Sequence, residues 1–289
     1  MIVKCLDNNS AYYNPISDAV KFLENQYPIA VCFAGLVGSI PYMLNNNTSD
    51  LDICVIYSVD TDKRDMVHAI FEHNIKFKKS HLQPMDIDFF LNPEEEETCL
   101  NEFLLAPKLF NANILPGKGN YKLQWVISEI FISDHVYDDK HYIENHKEQI
   151  KQWLKIYDYL RCLYIYAYGR LENYLIGSEV RLRSYLNTAH DIFVIEYILN
   201  KSDIPSLNFS DLLCYCNISS TRDILEKLYI CNKYSLLTKE QFIIPQIFEL
   251  NEYFQKKLNL LKTRLEKLYL NKKNEIFEPT ILYKSASSS

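Results

Sequence analysis

Ala34-Gly35-Leu36-Val37-Gly38-Ser39 is followed, after ten further residues, by Asp50-Leu51-Asp52-Ile53-Cys54-Val55-Ile56-Tyr57. The first stretch completes an apolar segment from Ile29 to Ala34 and predicts a strand that leads into a Gly-Ser turn. The second predicts a strand that opens with two aspartates. Taken alone, each motif is more often a turn with solvated side chains. Their succession indicates a site where two neighbouring strands meet.

The two aspartates are predicted to lie on the same face of their strand. Side chains alternate between faces, so Asp50 and Asp52 point one way while Leu51 and Ile53 point into the core. Like charges a few ångströms apart oppose joint ionisation, and a divalent cation is the usual remedy. The Gly-Ser turn can offer backbone N–H groups and a hydroxyl, which suit phosphate oxygens. Together these features predict a site for a metal-bound nucleoside triphosphate.

A third acidic element follows at Met85-Asp86-Ile87-Asp88-Phe89-Phe90-Leu91, which is typical of a strand. Its two aspartates fall on the same face, so either could join the first pair. We prefer Asp88, because Ile87 and Phe89 flank it as they would an inward strand position. Asp86, which lies nearer the strand start after Pro84, stays open as the alternative.

These residues carry a family resemblance. Gly38-Ser39, the ten-residue spacing, Asp50-x-Asp52 and the later acidic strand resemble the nucleotidyltransferases of the DNA polymerase beta superfamily, particularly small bacterial and antibiotic-modifying members. The resemblance extends from Ile29 to Leu91. One departure is Ile40-Pro41-Tyr42, where many relatives carry an arginine and later a glycine.

The resemblance implies a function and a set of site residues. Asp50, Asp52 and Asp88 would be the catalytic residues and would hold two Mg²⁺ ions. Gly38 and Ser39 would bind the β- and γ-phosphates of an NTP, with ATP the expected donor. A nucleoside monophosphate would pass to an acceptor hydroxyl, and pyrophosphate would be released.

Composition narrows the choice of acceptor. The chain has 289 residues and a formal charge of -6, from 31 basic and 37 acidic side chains. Wide non-specific binding to nucleic acid needs a basic surface, so this charge favours a small-molecule acceptor. A tRNA- or protein-modifying enzyme of the toxin type is an alternative. A catalytically inactive NTP-binding or interaction module is another.

Targeting signals are not evident. The N-terminal residues 1–9 lack the apolar core of a secretory signal, and no run approaches the ~18 apolar residues of a membrane helix. The sequence therefore predicts a cytoplasmic protein without a membrane partner.

The distribution of helices and strands predicts an α+β fold with two domains. Up to residue 140, strands alternate with helices, one of them from Asp62 to Asn74 with Met66 and Ile70 facing inward. This would be the nucleotidyltransferase domain, built on a mixed sheet. Long helices dominate from 141 to 289, which predicts an all-α, substrate-binding domain.

The last long helix carries a stripe of apolar residues at three-and-four spacing. Such a stripe is usually a seam against the rest of its own domain, and a homodimer contact is the alternative. The stripe consists of Ile247, Leu250, Phe254, Leu258, Leu261, Leu265 and Leu268.

Overall fold

The protein has a mixed α+β fold, seen here in a computed structural model. The structure describes residues 2–4, 9–46, 49, 51–71, 75–77, 80–86, 129, 136–146, 156–172, 182–234, 244–271 and 282–284. Strands gather in the first half of these residues, and helices dominate the second half. The prediction of an α+β protein is confirmed at this level.

Five of the described strands form one mixed sheet. They are β2 (Ile29–Leu36), β3 (Leu51–Val59), β4 (Ile75–Phe77), β5 (Ser80–Asp86) and β6 (Val136–Tyr137). Their order across the sheet is β4-β5-β3-β2-β6, with β3 and β5 parallel and the other neighbours antiparallel. The strand β3 therefore lies at the centre, with the strand that precedes it on one side and β5 on the other.

One apolar face of the sheet is covered by α1 (Tyr13–Gln26), which buries Ile16, Val20 and Leu23. As predicted, Ile53 of β3 is fully buried in this layer. The helix α2 (Arg64–Phe71) starts after a short 3-10 turn and buries Val67, whereas Met66 is exposed. The prediction that Met66 faces the core is wrong, because neighbouring helical positions point about 100° apart and Val67 holds the inward one.

The helices of the second half enclose a second core. They are α3 (Tyr142–Asn145), α4 (Ile156–Arg170), α5 (Leu182–Lys201), α6 (Phe209–Leu212), α7 (Ser219–Lys233) and α8 (Ile244–Asn271). The stripe on α8 packs into this core, where Leu250, Phe254, Leu258, Leu261 and Leu265 are all buried. The predicted seam within the chain is thus confirmed for these residues, and a homodimer through the helical part stays a prediction.

The chain also forms a small sheet from its two ends. The strand β1 (Ile2–Lys4) pairs in parallel with β7 (Leu282–Lys284). The prediction that 141–289 is entirely helical is therefore wrong at this segment. Tyr283 is a residue that strands favour, and pairing with β1 gives this segment its backbone partners.

Membrane-spanning capacity can be judged from the helices that the structure describes. None of them combines the length and the apolar character that crossing a bilayer would need.

Candidate functional site

The Gly-Ser turn follows β2 directly, and β3 holds it in place. Val37 donates its N–H to the Asp52 carbonyl at 3.1 Å, next to the ladder pair of Leu36 and Ile53. Gly38 has φ +74°, a left-handed conformation that glycine adopts without strain. A Cβ on Gly38 would lie 3.1 Å from Oδ2 of Asp52. The structure therefore brings the predicted turn and one predicted carboxylate into contact.

Ser39 lies just beyond this contact in a tightly closed loop. Its carbonyl accepts the Leu44 N–H at 2.8 Å, and the Ile40 carbonyl accepts the Met43 N–H at 2.9 Å. The side chain is 9% exposed, and no hydrogen bond joins its hydroxyl to another described residue. The hydroxyl therefore has hydrogen-bonding capacity left for a ligand.

The loop after the turn passes from one hydrophobic core to the other. Ile40 packs into the core under the sheet, whereas Tyr42 and Leu44 belong to the helical core. The Tyr42 carbonyl accepts the Phe209 N–H at 3.0 Å, and the Leu44 carbonyl accepts from the Asn232 amide at 2.8 Å. The turn is thus fixed to the sheet at one end and to the helices at the other.

A buried carboxyl group meets the turn on its helical side. Glu129 is fully buried, and its Oε2 accepts the Gly38 N–H at 2.8 Å. Its other oxygen, Oε1, has no hydrogen-bond partner among the described residues. Burial raises the pKa of Glu129 well above its ordinary value, and the Asp191 charge raises it further, while the Gly38 N–H and Arg170 oppose the shift. The ionised form of Glu129 is therefore disfavoured in the folded protein.

An ionic group on α4 and α5 lies next to Glu129. Arg170 donates from a terminal guanidinium nitrogen to Asp191 Oδ2 at 2.5 Å, and Asp191 Oδ1 lies 3.2 Å from Nδ1 of His190. The other ring nitrogen of His190 is 3.1 Å from the Leu207 carbonyl, and the ring stacks on Tyr42 at 3.8 Å. The Gly-Ser loop and this ionic group thus form one connected structure.

Arg170 is the member of this group that still reaches solvent. Its side chain is 23% exposed, against 2% for Asp191. A guanidinium carries five N–H donors, and one of them is engaged by Asp191. The remaining donors, held in position by a buried partner, suit an anionic oxygen.

The structure describes only some of the other acidic residues that the sequence predicts for the site. Asp50 and Asp88 lie outside the described residues, and so their roles stay predictions. Asp86 ends β5 and pairs with Tyr57, whereas His81 is the register partner of Asp52. Since a strand rises about 3.3 Å per residue, Asp86 lies about 16 Å along the sheet from Asp52. The structure does not bring Asp86 to the turn.

Metal-binding capacity in the described part of the chain is limited. No group of three His, Cys, Asp or Glu side chains there could hold a metal ion. Two of the three predicted ligands fall outside that part, so the predicted magnesium site is not tested by this result. Asp52 itself is a carboxylate beside a glycine turn, which is the hard oxygen donor that Mg²⁺ prefers.

Comparison with known proteins adds no identification. A scan against protein-family models gives no match, and neither does a search of curated proteins.

Four residues of this site are absent from the sequence-based predictions, namely Glu129, Arg170, His190 and Asp191. A signal was present for some of them. His190 and Asp191 interrupt an otherwise apolar stretch of α5, and buried charges within such a stretch require partners. For Glu129, a lone acidic residue among apolar neighbours, the partner on the Gly38 backbone could not be read from spacing.

Proposed function

We propose that this protein is a magnesium-dependent nucleotidyltransferase. It moves a nucleoside monophosphate from an NTP to an acceptor hydroxyl and releases pyrophosphate. The observation that carries this proposal is the contact between the left-handed Gly38 turn and the Asp52 carboxylate. A turn with a hydroxyl beside a carboxylate strand supplies both a place for phosphate oxygens and a ligand for their counter-ion.

Each site residue has a distinct role in this proposal. Ser39 donates its hydroxyl to a phosphate oxygen, and Arg170 supplies a fixed positive charge near the turn. Asp52, together with Asp50 and Asp88 from the sequence prediction, would hold Mg²⁺. When bound, the ion supplies positive charge that offsets the charge of the triphosphate. ATP is the expected donor.

The acceptor is expected to be a small hydroxyl compound. The chain carries a formal charge of -6, which disfavours a polyanionic acceptor such as tRNA. The helices of 141–289 would form the substrate-binding part, since His190 of α5 stacks on Tyr42 of the loop after the turn and bonds to the Arg170–Asp191 pair. Protein and tRNA acceptors are the alternatives that a screen must include.

Two measurements test the proposal. Titration calorimetry with ATP, GTP, CTP and UTP, each with and without Mg²⁺, should give binding that depends on the ion. Transfer from α-³²P-labelled NTP to small hydroxyl compounds, tRNA and proteins should then release pyrophosphate with one acceptor class. Binding without transfer to any class would identify an inactive NTP-binding module, and an absence of NTP binding would overturn the proposal.

A further inference from the structure

Glu129 occupies a position that the proposed chemistry does not explain. It is a fully buried acidic side chain, and its one hydrogen bond among the described residues goes to the Gly38 N–H. A carboxyl group taken out of water without further partners is costly. Such a cost is usually accepted where the group controls the geometry of a site.

The Gly38 backbone explains why an acceptor is needed there. The N–H of Val37 is used by the Asp52 carbonyl on the sheet side, and the next N–H along the chain, that of Gly38, is accepted by Glu129 Oε2 at 2.8 Å. Asp52 Oδ2 lies against the same residue from the sheet side. Gly38 therefore lies close to two carboxyl groups, and its hydrogen bond to Glu129 and its left-handed conformation set the direction of the following Ser39.

We propose that Glu129 is a positioning residue for nucleotide binding: it takes the Gly38 N–H and thereby fixes the turn so that the Ser39 hydroxyl faces the phosphates. This inference rests on the proposed function. It changes the expected role of Gly38, because the Gly38 N–H is used inside the protein rather than by a phosphate oxygen. Gly38 then contributes its conformation and its lack of a side chain.

The charge of Glu129 matters for this arrangement. An ionised Glu129 directly behind the turn would repel a triphosphate, whereas the neutral acid does not. The titratable and charged groups that act on it come from the helices and are Asp191, Arg170 and Tyr159. Burial, assisted by the Asp191 charge, raises the pKa of Glu129 and so favours the neutral form, which can accept the Gly38 N–H without adding negative charge to the site.

The hydrogen bond can be observed without any nucleotide. Val37-Gly38 is the one Val-Gly pair in the sequence, so a sample labelled with ¹³C-carbonyl valine and ¹⁵N-glycine gives a single correlated amide signal from Gly38. Glu129→Gln keeps an acceptor oxygen and should retain a hydrogen-bonded Gly38 amide with slow solvent exchange. Glu129→Ala should shift this signal and speed its exchange. Glu144→Gln, at an exposed carboxylate on α3, is the matched control and should leave the signal in place.

Nucleotide binding supplies the second measurement. Glu129→Ala should weaken MgATP binding by about tenfold, the effect of one lost hydrogen bond that orders the turn. Glu129→Gln should restore affinity to within about threefold of wild type. At saturating MgATP, the single-turnover rate of either variant should stay close to that of wild type, because Glu129 orients the nucleotide site and does not touch the reacting atoms.

The outcomes separate the two proposals. A Gly38 signal that is unchanged in Glu129→Ala, or a Glu129→Gln variant as weak in MgATP binding as Glu129→Ala, would overturn the role of Glu129 alone. If the wild-type protein binds no NTP, the proposed function is overturned, and so is the role of the turn in nucleotide binding. If Glu129→Ala fails to fold, the amide signal and MgATP affinity of Glu129→Gln still decide the question.

Discussion

Gly38 lies between two carboxyl groups whose surroundings differ. Asp52, on the sheet side, is half-buried at the start of β3, whereas Glu129, on the helical side, is fully buried. Desolvation raises the pKa of the buried Glu129, whose Oε2 accepts the Gly38 N–H. The partly exposed Asp52 can be reached from solvent by a ligand or an ion. The same functional group can thus supply charge to a site or shape it, depending on its access to water.

The largest expected effect is on the sheet side. Asp52→Asn, and likewise Asp50→Asn, should lower transfer by at least about 100-fold, which corresponds to about 2.7 kcal/mol of transition-state stabilisation. The reason is the loss of a magnesium ligand. Without metal, the melting temperature should stay level or rise, because repulsion between carboxylates is relieved. A single-turnover assay with labelled NTP checks the first statement, and thermal unfolding in EDTA checks the second. Variants that keep more than about a tenth of wild-type activity would contradict the role of the pair.

On the helical side, we expect the ionisation of Glu129 to make the stability of the protein depend on pH. Since the folded-state pKa of Glu129 is raised above its ordinary value of 4.5, its contribution to stability is fully present below that value and is lost as pH rises towards the folded-state pKa. Across this window the wild type should lose about 1.4 kcal/mol of unfolding free energy per pH unit from this group. Glu129→Gln lacks the proton uptake on folding, so its stability relative to wild type should increase with pH.

Urea unfolding of both proteins between pH 5 and 8 measures this difference. Glu144→Gln, at an exposed position, should follow the wild-type curve. Parallel curves for wild type and Glu129→Gln would mean that the buried carboxyl group ionises as readily in the folded chain as in the unfolded one.

An intermediate effect is expected at the residue between the two carboxyl groups. Ser39→Ala should weaken NTP binding by about 1–2 kcal/mol, because one hydrogen bond to a charged oxygen is lost. Affinity for the acceptor should hardly change. Calorimetry with MgATP measures the first quantity, with Ser58→Ala as control, since that hydroxyl lies at the far end of β3 and donates to the Ala30 carbonyl. Unchanged NTP affinity would make the turn purely structural.

The sheet side of the site could be predicted from the sequence better than the helical side. The Gly-Ser turn, Asp52 and the inward Ile53 follow from strand alternation and local spacing, which act over a few residues. The apolar stripe of α8 was equally readable, because helical periodicity repeats along one element. The Glu129 bond to Gly38 joins residues 91 positions apart, and no local pattern encodes such a pairing. Which residue of α2 faces the core depends on where the preceding 3-10 turn ends. The prediction for Met66 was wrong for a related reason.

The smallest effect is expected at Asp86, and it also tests the third carboxylate. The register places Asp86 opposite Tyr57, about 16 Å along the sheet from Asp52, so Asp86→Ala should change single-turnover transfer by less than about threefold. Asp88→Ala should reduce the rate far more than NTP affinity, because the first two aspartates still hold the nucleotide's metal. Both variants are compared in one single-turnover series. An inactive Asp86→Ala beside an active Asp88→Ala would reverse the assignment. If both stay active, the third carboxylate comes from another part of the chain. The comparison of the two sides of Gly38 must then include that further carboxylate.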